Sequence, residues 1–136
     1  MAITLKFQYT HDYGTQSARG ITIPVTLSVG RKSVRLHAKL DTGADHCIFG
    51  RVYGEEPGLK IEDGQQASFS TANGEFRAFG HDVTITCFEW HFDSLVFFPE
   101  APEIGRNILG RQGWLQQFRV ALIDYDSILH LSHYNI

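Results

Sequence analysis

The stretch Leu40-Asp41-Thr42-Gly43-Ala44-Asp45 follows a segment in which apolar and polar residues alternate from Val34 onward. This alternation predicts a strand that ends directly before Asp41 and carries it into a loop. Gly43 lets the backbone turn sharply and approach another segment closely, and the Thr42 hydroxyl can donate a hydrogen bond. The Asp-Thr-Gly triplet occurs once in the 136 residues.

A loop carboxylate of this kind gains a specific chemistry when a second carboxylate lies opposite. Two carboxylates about 3 Å apart share one proton, because both cannot ionise at that separation. The ionised one can deprotonate a water while the protonated one donates to a carbonyl oxygen. A chain with one triplet must take its second Asp41 from another copy. We therefore expect a homodimer that needs no metal and no other cofactor.

A second motif, Asn107-Ile108-Leu109-Gly110-Arg111, lies later in the chain and places two apolar residues before Gly and Arg. Together the two motifs resemble the retropepsin family, the retroviral-type aspartic proteases. In that family an Asp-Thr-Gly-Ala-Asp loop is followed by a segment of two hydrophobic residues, Gly and Arg. The number of residues between the loop and this segment is similar to the number in this chain. The pair of motifs is far more specific than either one alone. The resemblance spans roughly residues 21–133.

The resemblance assigns roles to individual residues. It implies that Asp41 is the catalytic aspartate, supported by Thr42 and Gly43. It also implies that Arg111 pairs with Asp45 and keeps it ionised, since a forked guanidinium matches a carboxylate. A surface position on a helix is the alternative for Arg111. Substrate contacts are expected from Ala44, Asp45, Lys39, Asn73, Gly74 and Ile108.

Strand-like alternation continues through most of the chain. We expect one all-β domain over residues 1–136, a closed or partly open barrel of the aspartic protease (retropepsin) type with one short helix after Gly110. The predicted strands cover residues 3–9, 21–29, 34–40, 66–71, 75–83, 82–88, 91–98, 118–125 and 128–133. A loop is expected over residues 10–20, a helical turn within 49–56 and the short helix within 111–117.

The turn Ala72-Asn73-Gly74 separates two of the predicted strands. In the retropepsin family a hairpin at this point is the flap, which opens to admit a peptide and closes over it. This hairpin carries Phe69, Phe76 and Phe79, whereas retroviral flaps have glycine-rich tips. We therefore expect different closing contacts if it is a flap. An ordinary surface hairpin is the alternative.

Two features depart from the viral pattern. A terminal hairpin over residues 118–133 is more similar to the retropepsin domains of cellular proteins and to one lobe of pepsin, and we expect the dimer interface there. Lys39 occupies a position where the family usually has an apolar pocket residue. Either Lys39 contacts substrate, or its stem extends past the dimer edge to solvent.

Composition limits the other possibilities. A formal net charge of -3 and scattered basic residues give no reason to expect nucleic acid or an anionic membrane as a partner. No apolar run is long enough to span a bilayer, and residues 1–6 do not have the form of a signal peptide, so we expect a cytoplasmic protein. Cys47 and Cys87 are expected to be buried free thiols. His130 and His133 point to opposite faces of a strand, and no metal site is expected.

These observations favour an aspartic endopeptidase that hydrolyses peptide bonds in a peptide or protein substrate. Two alternatives stay open: a catalytically silent peptide-binding or dimerisation module of the same fold, and a maturation protease that cuts its own precursor. The intact Asp41-Thr42-Gly43 triplet favours catalysis, because a binding module has no need of an ionisable pair.

Overall fold

The computed structural model describes residues 1–135, with the side chains of residues 15–17 outside that description. In this part of the chain there is one α-helix, α1 (Arg51–Glu55), and turns of 3-10 helix lie at Gly14–Arg19, Ile61–Asp63, Leu115–Gln117 and Asp124–Asp126. The strands are β1 (Tyr9–Asp12), β2 (Thr22–Val29), β3 (Lys32–Leu40), β4 (Cys47–Ile48), β5 (Gln65–Thr71), β6 (Gly74–Cys87), β7 (Trp90–Pro99), β8 (Ile108–Leu109), β9 (Phe118–Ile123) and β10 (Ile128–His133).

Six strands close into a barrel in the order β2-β3-β8-β4-β7-β6. The barrel closes where Thr26–Ser28 of β2 pairs with Thr84–Thr86 of β6. Strand β5 pairs with β6 alone and projects as the second arm of a hairpin. Strand β8 lies parallel to β3, with Leu109 beside Leu40. The predicted all-β barrel is confirmed.

Alternation along the strands builds the core. In β3 the side chains of Val34, Leu36, Ala38 and Leu40 are buried, and the residues between them are exposed. Each Val or Leu side chain that is fully removed from water contributes about 1.5–3 kcal/mol, and the smaller Ala38 contributes less. This burial fixes the register of β3 and hence the position of the loop that follows it.

A second sheet of three strands, in the order β1-β10-β9, is formed by the two ends of the chain. The terminal hairpin is present as predicted, with Ser127 in the left-handed region at its turn (φ 57°). Leu129 and Leu131 of β10 are fully buried in the same core as the barrel residues.

Two sequence predictions were wrong in extent. Residues 3–7 form no strand, and Ile3 and Leu5 are exposed. The reason is the register: Tyr9 pairs with Leu131, so Phe7 is level with His133, the last residue of β10, and residues 3–6 extend beyond the end of that strand. The helix expected within 111–117 is reduced to the 3-10 turn Leu115–Gln117, because Gly113 has a φ of 99°, outside the helical region, and interrupts the segment. The predicted helical turn within 49–56 is confirmed as α1.

Among the residues described, none of the helices has the length and apolar character needed to cross a membrane.

Tyr13 joins the two ends of the chain and provides a test of this arrangement. Its side chain is 1% exposed, its hydroxyl donates to the Asp124 carboxylate, and its backbone N–H donates to the Ser127 carbonyl at 3.0 Å. Replacing Tyr13 by Phe should lower the free energy of unfolding by about 1 kcal/mol, since one hydrogen bond is lost while packing is kept. Urea denaturation at fixed protein concentration measures this change. Tyr134→Phe is the control, because Tyr134 is 54% exposed and lies outside the terminal hairpin; equal effects in the two variants would contradict the assignment.

Candidate active site

Asp41 is the first residue after β3, at the start of the loop that leads to β4. Its backbone N–H donates to the Leu109 carbonyl of β8 at 3.0 Å. Its Oδ1 accepts a hydrogen bond from the Gly43 N–H at 2.9 Å. The side chain is exposed. One carboxylate oxygen is therefore held by the loop itself, and the carboxylate faces solvent.

The segment after β8 passes directly under this loop. A Cβ on Gly110 would lie 2.3 Å from the His46 carbonyl oxygen and 2.8 Å from that of Ala44, so a larger residue has no room here. The next two N–H groups donate hydrogen bonds to the loop. The Arg111 N–H donates to the Ala44 carbonyl at 2.8 Å, and the Gln112 N–H donates to the Asp45 carbonyl at 2.9 Å. These contacts fix the loop through its backbone.

Asp45 and Arg111 are brought together, but loosely. Arg111 Nη1 lies 3.8 Å from Asp45 Oδ1, and the side chains are 54% and 72% exposed. An exposed pair at this distance contributes little to stability. The backbone hydrogen bonds therefore do more than the ion pair to hold the loop in place.

Asn107 makes hydrogen bonds to two segments next to the Asp41 loop. Its Oδ1 accepts a hydrogen bond from the Gly50 N–H at 2.9 Å, and its backbone carbonyl accepts from the Lys39 N–H at 2.9 Å. The side chain thus links the segment before β8 to the start of α1.

The loop opens onto a groove with a cavity volume of about 930 Å³. The hairpin β5–β6 forms one side of this groove, and Asn73 and Gly74 at the hairpin turn contribute to its lining. Gly74 has a φ of 121°, a conformation that favours glycine. The Asn73 N–H donates to the Thr71 hydroxyl at 3.2 Å, which shapes the turn.

Most of the residues predicted as site residues meet in this groove. Its lining includes Asp41, Gly43, Ala44, Asp45, Asn73, Gly74 and Ile108. Thr42 is exposed on the loop and Lys39 is exposed on β3. Neither residue lines the groove of a single protomer. The Lys39 stem lies against Gly20, where a Cβ would be 2.8 Å from Lys39 Cε.

Sequence reasoning missed two parts of the groove. His46 and Phe97 line it from the barrel side, and residues 103–106 form a further part of its rim. Residues 103–106 show no strand alternation, and their only signal is that they directly precede the motif at Asn107. The only sequence signal for His46 is that it directly follows Asp45.

Neither cysteine is placed to act as a nucleophile. Cys47 and Cys87 are both buried free thiols, as predicted. Burial raises the pKa of the Cys47 thiol to about 11 and that of Cys87 to about 12. Since the thiolate is the reactive form, both side chains have structural roles. Across the described part of the chain, no three His, Cys, Asp or Glu side chains are grouped so that they could hold a metal ion.

Comparison with known proteins identifies the fold. No family model matches this chain, and no curated protein matches it. A solved structure of the EIAV protease in complex with the inhibitor HBY-793 is similar, with a TM-score of 0.52 and 22% sequence identity over 66% of this chain and 80% of that chain. EIAV protease is a retroviral enzyme, so the chain has a retropepsin-like fold.

The contact at Gly110 predicts a strong effect of substitution. Gly110→Ala should lower the free energy of unfolding by about 1–3 kcal/mol or more, because the added methyl meets two backbone carbonyls that cannot move independently. Thermal or chemical denaturation measures the loss. Gly105→Ala is the matched control, since nothing lies within 4 Å of a Cβ at that position. Similar stability of the two variants would show that the loop is not held against Gly110.

Proposed function

We propose that this protein is an aspartic endopeptidase, active as a homodimer in which the Asp41 carboxylates of two chains lie opposite each other. The observation that carries the proposal is the position of Asp41. It is exposed at the edge of a peptide-sized groove, with Oδ1 held by the Gly43 N–H, in a chain of retropepsin-like fold. The volume of the groove lies within the usual range for ligand-binding clefts, and we propose that it accommodates an extended peptide.

The chemistry follows from the paired carboxylates. With one proton shared between them, the ionised carboxylate removes a proton from a bound water, and the resulting hydroxide attacks the peptide carbonyl carbon. The protonated carboxylate donates its proton to the carbonyl oxygen. The tetrahedral gem-diol intermediate then collapses with cleavage of the C–N bond. The proton taken from water is transferred to the leaving amine, and a hydroxyl proton of the diol returns to the other carboxylate, which restores the shared proton. The Asp41 carboxylates of the two chains and one water molecule therefore suffice for hydrolysis.

Dimerisation through the terminal hairpin is part of the proposal. Strand β9 is the outer strand of its sheet and, among the described residues, has a partner on one side only. Leu122 and Ile123 on this strand are each 46% exposed, and Tyr125 in the adjoining turn is 98% exposed. Exposed apolar side chains next to an unpaired strand edge are typical of an interface. In this dimer we assign the Thr42 side chain to contacts between the two Asp41 loops. We also propose that the terminal hairpin makes this chain more similar to cellular retropepsin domains than to viral ones.

Two predicted roles remain part of the proposal. Asp45 is expected to bind the backbone of the substrate, and the hairpin turn at Asn73 and Gly74 is expected to close over it as a flap. Lys39, which lies outside the groove of one protomer, would contact substrate only if dimerisation brings a partner's groove to it.

The test replaces the proposed catalytic group. Asp41→Asn should reduce kcat for peptide hydrolysis by several orders of magnitude, because the amide keeps the shape of the carboxylate but cannot accept a proton from water. Digestion of a peptide library followed by mass spectrometry measures cleavage, and sedimentation measures the dimer, which should persist in the variant. Asp82→Asn, at an exposed position of β6 outside the groove lining, is the control and should cleave as the wild type does.

Two results would count against the proposal. Full activity in a highly purified Asp41→Asn protein would remove Asp41 from the mechanism. Peptide binding by the wild type without any cleavage would favour the silent binding module instead.

A further inference from the structure

Positive charge gathers on one side of the barrel, although the chain as a whole is acidic. Residues 13–40 contain five of the 12 Lys and Arg residues and none of the 15 Asp and Glu residues. All five are exposed, and among the described residues none of them forms an ion pair with a carboxylate. The five are Arg19, Arg31, Lys32, Arg35 and Lys39. Positive charge that the protein itself does not neutralise attracts a partner of opposite charge.

Strand β3 arranges part of this charge as a row on the outer face of the barrel. Arg35 and His37 are exposed, whereas the residues on either side of each are buried. Side chains on one face of a strand lie about 6.8 Å apart. Arg31 and Lys32 extend the positive charge to the turn of the β2–β3 hairpin, and both are exposed. The β2 residues that pair with Arg35 and His37 are uncharged, so no acidic side chain lies opposite the row.

The backbone beside this row is a strand edge without a β partner. The Lys39 N–H donates to the Asn107 carbonyl at 2.9 Å, on the side of β8. Backbone groups of every second residue point the same way, so those of Arg35 and His37 face this side too. Strand β8 pairs with β3 only at Lys39 and Leu40, and no other described strand pairs with β3 on this side. The His37 carbonyl accepts a hydrogen bond from the Asn107 side chain at 3.4 Å, so the unpaired edge begins at Arg35.

The charge and the surface of this edge together select its occupant. An extended segment can add to an unpaired strand through backbone hydrogen bonds. Like charges oppose the pairing of β3 with a second copy of itself, whereas carboxylates at every second residue of an added strand would face the basic row. Strands β2 and β3 carry no Phe, Tyr or Trp on which nucleic acid bases could stack. Their exposed positions carry no large apolar side chain that would enter a membrane.

We propose that this surface binds an acidic, extended segment of the protein substrate, outside the peptide that is cleaved. We call it the basic edge and define it as Arg31, Lys32, Arg35 and His37 with the unpaired backbone beside them. The inference rests on the proposed function and adds a second contact with the same substrate. Strand β3 leads directly to Asp41, six residues beyond Arg35 or about 20 Å along the strand. A segment held at the basic edge therefore keeps the rest of the substrate close to the groove.

Peptide binding to the Asp41→Asn protein tests the basic edge without cleavage of the probe. One fluorescent peptide alternates Glu with Thr, and a second has the same composition with its Glu residues adjacent. The alternating peptide should bind about 5-fold or more tightly, because an extended strand then carries all its carboxylates on one face. N-methylation of one set of alternate backbone N–H groups should abolish binding, and methylation of the other set should not. Equal binding of the two peptides would overturn the proposal.

Charge reversal on the protein locates the site. Arg35→Glu should weaken binding of the alternating Glu peptide by about 10-fold and should produce binding of a peptide that alternates Lys with Thr. Lys60→Glu is the matched control, because it makes the same charge change at an exposed position outside β2 and β3. Equal losses in the two variants would overturn the site. Tighter binding of single-stranded oligo-dT, or of phosphatidylserine vesicles, than of the Glu peptide would overturn the choice of occupant.

Cleavage distinguishes a substrate from other acidic partners. A peptide that the wild type cleaves is joined to the alternating Glu segment by a flexible linker of about ten residues, which spans roughly 18 Å on average. Its kcat/KM should exceed that of the same peptide joined to the segment with adjacent Glu residues by about 5-fold, through a lower KM. Arg35→Glu should remove this gain, and Lys60→Glu should keep it.

Two outcomes separate the basic edge from the proposed function. Binding of the acidic segment without any gain in kcat/KM would overturn its assignment to the substrate. If the wild type cleaves no peptide, the proposed function fails and the substrate assignment fails with it. The binding comparison of Arg35→Glu with Lys60→Glu would still decide whether the basic edge takes up an acidic strand.

Discussion

The close passage of Gly110 beneath the loop after β3 is the contact on which the site depends. The backbone of this segment comes so near the Ala44 and His46 carbonyls that a side chain is excluded, and the N–H groups of Arg111 and Gln112 then bond to the loop above. Backbone hydrogen bonds need no long side chain to be ordered. The exposed carboxylate of Asp41 is therefore held in place by the main chain.

The rest of the architecture serves this contact. Strand β3 is fixed by its buried face, and β8 lies parallel beside it, which brings Leu109 next to Leu40 and Gly110 under the loop. The hairpin β5–β6 leaves the barrel and encloses the groove from the opposite side. Within one protomer this yields one carboxylate and one set of groove walls. The proposed reaction needs two carboxylates, so the proposed dimer completes the site rather than merely enlarging the protein.

Short motifs predicted which segments lie together better than alternation predicted the element boundaries. Asp-Thr-Gly and the segment ending in Gly110-Arg111 carry steric and hydrogen-bonding requirements that few other arrangements meet, and they do lie together. Residues 3–6 alternate as a strand does but extend beyond the end of β10, and sequence alone could not reveal that they lack a partner strand. Likewise, the helix after Gly110 is short because Gly113 has a φ of 99°, a conformation outside the helical region. The groove residues His46 and Phe97 meet only through tertiary packing.

Mixing wild-type and Asp41→Asn chains tests the shared active site most directly. The two proteins are unfolded and refolded together at a concentration at which sedimentation shows dimers, and peptide cleavage is measured as the wild-type fraction is varied. If each active site needs one Asp41 from each chain, activity falls with the square of that fraction, and an equal mixture retains about one quarter of the activity of wild-type dimers. Activity that falls in simple proportion to the wild-type fraction would mean that each chain acts alone, which contradicts the account.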